Sequence, residues 1–209
     1  MATFDQMLAR IQTDIKRTDI DTSIKKAINR AVQHYSKERF FFNEAKTTFA
    51  TIANTETYAY GSGTIPSDIW AIDRMTITRT STDIYPLPQV SFEDLRYMST
   101  TGTSSPNLPD VWALWNKTFY FYPIPNAVYT MTLYYQPAYA DLSATSDTNV
   151  FLSYGEDLIE SRARAWLYAR LLEDPTQAQV AKVEEQEALQ ALRERSSSVI
   201  STGRLSPSN

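Results

Sequence analysis

The chain has no cysteine. That removes disulfides, thiolate metal ligands and cysteine nucleophiles together, and it suits assembly in a reducing cytosol. Histidine is nearly absent too. His34 stands alone, which excludes zinc sites built on two or three histidines. It reads as a surface or interface residue. Glycine is scarce, five in 209 residues, and neither G-x-G-x-x-G nor a phosphate-loop pattern occurs. No apolar run approaches the roughly 20 residues that span a bilayer; Phe40-Phe41-Phe42 is far too short. MATFDQMLAR lacks a basic stretch followed by an apolar run, so no signal peptide is expected. Net charge is -4, with no basic footprint of a nucleic-acid reader; a mildly acidic surface repels DNA rather than gripping it.

The acidic residues do not assemble into a recognisable site either. Glu184, Glu185 and Glu187 lack calcium-loop spacing and read as a solvated helix face. Asp68 and Asp73 flank a strand and read as turn or cap residues. No carboxylate pair stands out for acid–base work. The expectation is no enzyme, no metal and no cofactor.

What is plentiful is aromatic: 12% of the chain, with 13 tyrosines. Tyr and Trp suit both β-cores and interfaces, because a large apolar body carries one polar atom. Hydrophobic residues make up 43% and charged residues 21%, as in a globular chain. The length fits one domain, or one domain with a large insertion.

Residues 1–43 have a helical pattern. Thr3 with Gln6 has capping-box spacing, and Phe4, Leu8, Ile11 and Ile15 form one stripe. After Asp19 and Asp21, a second helix places Ile24, Ile28, Ala31, Val32 and Tyr35 on one face. Lys25, Lys26, Arg30 and Lys37 line the other. Two short amphipathic helices so joined are expected to form a hairpin. Residues 44–150 read as strands and turns. Lys46 to Ile52, Met75 to Thr78 and Tyr129 to Tyr135 are strand-like, and Gly61-Ser62-Gly63 is a turn. Ser91 with Asp94 caps one short helix. Trp112 to Trp115 and Thr118 to Tyr122 read as a hairpin turned at Asn116-Lys117. Residues 151–195 are helical again. Ser153 with Glu156 has capping-box spacing, and Asp174-Pro175 is a strong start signal for the last helix. Residues 196–209 form a polar tail, expected to be extended or disordered. The fold class is therefore α+β: an antiparallel bundle of about four helices from 1–43 and 151–195, with 44–150 as a central antiparallel β-rich insertion.

Several elements in this order carry a resemblance. They are Arg39-Phe40-Phe41-Phe42-Asn43, a Thr-rich strand, Tyr58-Ala59-Tyr60 before Ile65-Pro66-Ser67-Asp68, Pro109 to Trp115, and Phe119 to Pro125. The order resembles the head-to-tail adaptor (connector) proteins of tailed phages, over about residues 3 to 195. The resemblance implies a structural subunit of the virion's head–tail junction, assembled in the bacterial host cytoplasm. It implies a homo-oligomeric ring, commonly a dodecamer, beneath the portal protein. Tail tube, nozzle or fibre proteins would be the other partners, with viral DNA passing through and no membrane. It further implies that the C-terminal arm docks on the portal, with Arg204, Leu205 and Pro207 as anchors. Trp112, Trp115, Tyr120 and Tyr122 are the candidates for a subunit or tail interface, with packing in the β core as their other reading. The alternatives are another virion subunit (head-closure, tail-tube or fibre-attachment) or a ligand-binding module.

Overall fold

A computed structural model describes residues 2–80, 83–101 and 105–201, without the side chains of 200 and 201. In chain order the elements are α1 (Phe4–Ile15), α2 (Asp21–Tyr35), β1 (Ala45–Ala50), β2 (Thr57–Ala59), β3 (Ile69–Thr78), β4 (Ile84–Leu87), α3 (Phe92–Thr101), β5 (Val111–Trp115), β6 (Thr118–Tyr122), β7 (Thr130–Pro137), α4 (Val150–Tyr154), α5 (Glu156–Arg170) and α6 (Pro175–Ser201). The fold class is α+β. The chain divides into two compact units, one made of 1–43 with 139–209, the other of 44–138.

The helical unit rests on four long helices. In α1, the Thr3 side chain accepts from the Gln6 N–H and Gln6 reaches back to the Thr3 N–H, so the capping box forms as its spacing predicts. Phe4, Met7, Leu8, Ile11 and Ile15 are buried, one face of the helix. α2 buries Ile24, Ala27, Ile28, Ala31, Val32 and Tyr35 by the same logic. α5 packs against α1, α2 and α6. Its buried Leu158, Ile159, Ala163 and Leu167 share one core with α1, α2 and the Phe40 patch. Phe40 stacks on Phe42 at 5.3 Å, and Phe42 meets Phe151 edge-on at 5.3 Å.

Three boundaries differ from the sequence pattern. The helix expected to start at Ser153 begins earlier. Asn149 accepts from the Leu152 N–H at 3.0 Å and caps the short α4; Gly155 then separates α4 from α5. Residues 139–149 belong with the helices and not with the β region. Asn29 holds the Leu142 backbone at both its N–H and its carbonyl, each at 2.9 Å, and the Gln33 amide donates to the Tyr139 carbonyl at 2.7 Å. The last helix runs on to Ser201, through residues expected to open the tail. Ser196 is 5% exposed. Its hydroxyl donates to the Leu192 carbonyl and accepts from the Phe41 N–H, so its polar group is satisfied without leaving the helix.

The β unit holds two antiparallel sheets, ordered β1-β7-β3-β4 and β2-β6-β5. Their facing sides share one core. Phe49, Met75, Ile77, Leu87, Met131 and Leu133 come from the first sheet; Tyr58, Trp112, Phe119 and Phe121 come from the second. The β5–β6 hairpin turns through Asn116 and Lys117, both with positive φ (46° and 57°). That is the mirror-image turn whose twist matches a two-residue hairpin. Gly61 and Gly63 also have positive φ, in the turn the sequence marks there. Asp73 lies within β3, where the pairing with β7 shifts between Ile72 and Arg74, and is neither a turn nor a cap.

Candidate interaction surfaces

Strand alternation sorts the four aromatic candidates of the hairpin. Trp112 pairs with Phe121 and faces the core; it is 2% exposed, and its indole N–H donates to the Leu87 carbonyl at 3.0 Å. The candidate interface loses Trp112, because its ring and its polar atom are both used inside the unit. Three positions on, Trp115 points to the opposite side and is 58% exposed. Tyr120 and Tyr122 alternate with the buried Phe119 and Phe121 and are half-buried.

The outer side of this hairpin is covered in part by α3. Ser91 accepts from the Asp94 N–H at 3.0 Å, as the capping pattern requires, and Leu95 seats the helix. Phe92 stacks on Trp115 (5.2 Å, 14°) and meets Tyr120 at 4.9 Å. The Arg96 guanidinium lies over Phe92 and Tyr120 and pairs with Glu56 at 2.8 Å. Phe92 and Arg96 were not singled out from sequence. Their only signal there is i, i+4 spacing on a short helix, and what they meet is set by the fold. Tyr97, one residue further, is exposed. The result is a partly exposed aromatic surface with one embedded cation, the composition common at protein contacts.

The helical unit has two charged networks. Glu185, read from sequence as solvated, is 7% exposed. It accepts from Tyr35 Oη and pairs with Arg162 at 2.8 Å. Burial and the Glu185 carboxylate push the Tyr35 hydroxyl well above the ordinary phenol range. Glu184 pairs with Arg164 at 2.7 Å, and only Glu187 of the three is exposed without a role in either network. On the other side of α5, Arg164 reaches Asp14 (3.2 Å) and Glu160 (3.6 Å), while Arg10 pairs with Glu156 (2.6 Å). Burial first, then a hydrogen bond with Asp14, pushes Glu160 up to about 7 despite Arg164 and Arg10. Neither network has the layout of a reaction centre: each carboxylate is held by a cation of its own unit.

His34 is exposed on α2 and edge-on to Tyr35 at 4.8 Å. Among the described residues, no group of three or more His, Asp or Glu is placed to hold a metal ion, and no helix is long and apolar enough to cross a membrane. Arg204, Leu205 and Pro207 lie outside the described residues. A family model described as SU10 adaptor protein matches residues 2–207. No curated protein matches the chain.

Proposed function

Because the chain belongs to the SU10 adaptor protein family, a phage head–tail adaptor family, we propose that it is the subunit of a ring joining the portal to the tail around the path of the exiting DNA. At the coarser level the protein is a structural virion adaptor of the head–tail junction. The observation that carries the reading is the extent of the match. It runs over 2–207 and so takes in both compact units.

In this reading the helical unit forms the ring body, in twelve copies. The Trp115–Phe92–Tyr120 surface is offered to a tail component, and the segment after Ser201 grips the portal through Arg204, Leu205 and Pro207. The work is assembly. A segment that orders on its partner loses conformational entropy but wraps a large surface. Repetition around a ring raises modest contacts through effective concentration.

Electron microscopy of the full chain mixed with purified portal tests the ring. Rings seated on portals are expected; portals left bare at micromolar adaptor overturn the reading. Truncation after Ser201 tests the arm. A cut at Ser196 would expose a buried polar group, so the later site is the clean one. The truncated chain should keep its helical circular dichroism and bind portal at least tenfold more weakly. Equal binding removes the docking-arm role.

A further inference from the structure

The cations of the helical unit are scattered along the sequence and gathered by the fold. Lys26, Arg30 and His34 stand on the exposed face of α2, four residues and so about 6 Å apart along its axis, with Lys37 just beyond its end. They line an open groove of about 610 Å³. Arg30 and His34 also border a second groove of about 330 Å³, shared with Arg162, Trp166 and Arg170 of α5. Those three α5 residues continue into a third groove of about 170 Å³, which Lys182 of α6 joins. The grooves therefore make one surface. It holds six lysines and arginines (Lys26, Arg30, Lys37, Arg162, Arg170, Lys182) against two carboxylates, Asp141 and Glu185. That is a formal excess of positive charge in a chain of net charge -4.

Both carboxylates are engaged inside the unit. Asp141 accepts from the Gln33 amide at 3.2 Å, and Glu185 is held by Tyr35 and, at 2.8 Å, by Arg162. Among the described residues, no ion pair involves Lys26, Arg30, Arg170 or Lys182. Arg30 lies over the Trp166 ring at 5.2 Å, a contact that aims its guanidinium without neutralising it. A continuous positive surface attracts a polyanion. The other side chains decide which one. Asn29 and Gln33, the amides able to read base edges, are tied to the backbone at Leu142 and Tyr139. Trp166 is half-buried with Arg30 over its ring, a poor platform for stacking single-stranded bases. What remains is phosphate contact, blind to sequence. Duplex DNA carries one negative charge per about 1.7 Å of axis, dense enough to meet cations spread over three grooves.

We propose that this α2–α5–α6 surface holds duplex DNA by its phosphates, without reading sequence. The proposal rests on the ring reading for the source of the DNA and names the face turned to it. Six lysines and arginines cap the contacts of one copy at about six phosphates. One copy therefore binds weakly, and a ring repeats the surface around a single duplex. Weak, sequence-blind contacts let DNA slide, which a conduit requires. The acidic remainder of the chain repels DNA and confines the contact to this surface.

In the test, the full chain is titrated onto a fluorescent duplex of about 30 base pairs, in two unrelated sequences, between about 50 and about 200 mM NaCl. The two sequences are expected to bind alike, and affinity should fall with salt at a log–log slope of about -3 to -5. Lys26→Gln with Arg170→Gln replaces exposed side chains on two helices. This pair should bind at least tenfold more weakly at about 50 mM and reduce the slope by about 2, one per lost contact, with helical circular dichroism unchanged. Lys46→Gln with Lys117→Gln makes the same change of charge at exposed positions of the β unit and should alter neither affinity nor slope. No binding by the parent chain, an equal loss in the β-unit pair, or a preference above about tenfold between the sequences overturns the proposal. So does displacement of the duplex by an equal charge of poly-glutamate, which gives the surface to an acidic protein partner. Rings on portals without duplex binding sink this surface and leave the ring standing. Duplex binding by chains that leave portals bare supports the surface and sinks the ring. Bare portals and no duplex binding sink both.

Discussion

Glu160 holds its proton more tightly in the folded chain than in water, because burial and Asp14 disfavour its charge more than Arg164 and Arg10 favour it. The sign of the stability effect follows. A carboxyl raised in the folded state contributes fully below its unfolded value, near 4.5, and loses that contribution as pH rises towards about 7. Glu160→Gln should therefore flatten the fall in stability between pH 4.5 and 7. The slope removed is at most about 1.4 kcal/mol per pH unit, one proton's worth. Urea denaturation at several pH values reads it, and an unchanged slope contradicts the assignment. Tyr35 behaves differently. Its hydroxyl donates to the buried Glu185, so Tyr35→Phe removes a bond to a charged acceptor. A loss of about 1.5–3 kcal/mol in urea is expected, and a neutral result would mean that Arg162 alone satisfies Glu185. In the β unit, Trp112→Ala removes a fully buried ring and a satisfied N–H, for about 3–5 kcal/mol, while Trp115→Ala should stay within about 1 kcal/mol.

At the scale of elements, turn and cap chemistry decides where the chain changes direction. Asp174 accepts from the Gln177 N–H at 3.0 Å just before Pro175, so the start signal for α6 is physically what it looks like in sequence. Asn149 does the same for α4. The Ser153 and Glu156 pair had the right spacing for a cap, but Gly155 intervenes and Asn149 had already begun a helix. The hairpin turn is the weakest of these devices. Lys117 sits at φ 57°, where a side chain is strained and glycine is not. Lys117→Gly should stabilise the chain by about 0.5 kcal/mol, shown as a raised urea midpoint at unchanged m-value. A lowered midpoint would mean that the flexibility of glycine in the unfolded chain outweighs the relief of strain.

For the whole molecule, two separate cores mean two largely independent sets of packing energies. Ile28 belongs to the helical core and Phe119 to the β core. Ile28→Ala and Phe119→Ala share no partners, so their destabilisations should add to within about 0.5 kcal/mol in the double variant if unfolding stays two-state. A larger deviation would reveal coupling between the cores.

The sequence by itself determined the α+β class, the amphipathic faces of α1 and α2, the capped starts at Thr3, Ser91 and Asp174, and the β5–β6 hairpin. Each is local: periodicity, cap geometry and turn propensity act within a few residues, where one chain segment is its own context. Only the tertiary structure decided that Trp112 is core while Trp115 is surface, and that Glu185 is buried while Glu187 is not. It also decided that Ser196 continues a helix, that residues 139–149 belong with the helices, and that Phe92 and Arg96 complete an aromatic surface with Tyr120. Each of these depends on which distant segment arrives opposite a side chain. Burial and charge pairing are properties of that encounter; spacing along a strand puts Trp112 and Trp115 on opposite faces but does not say which face is covered.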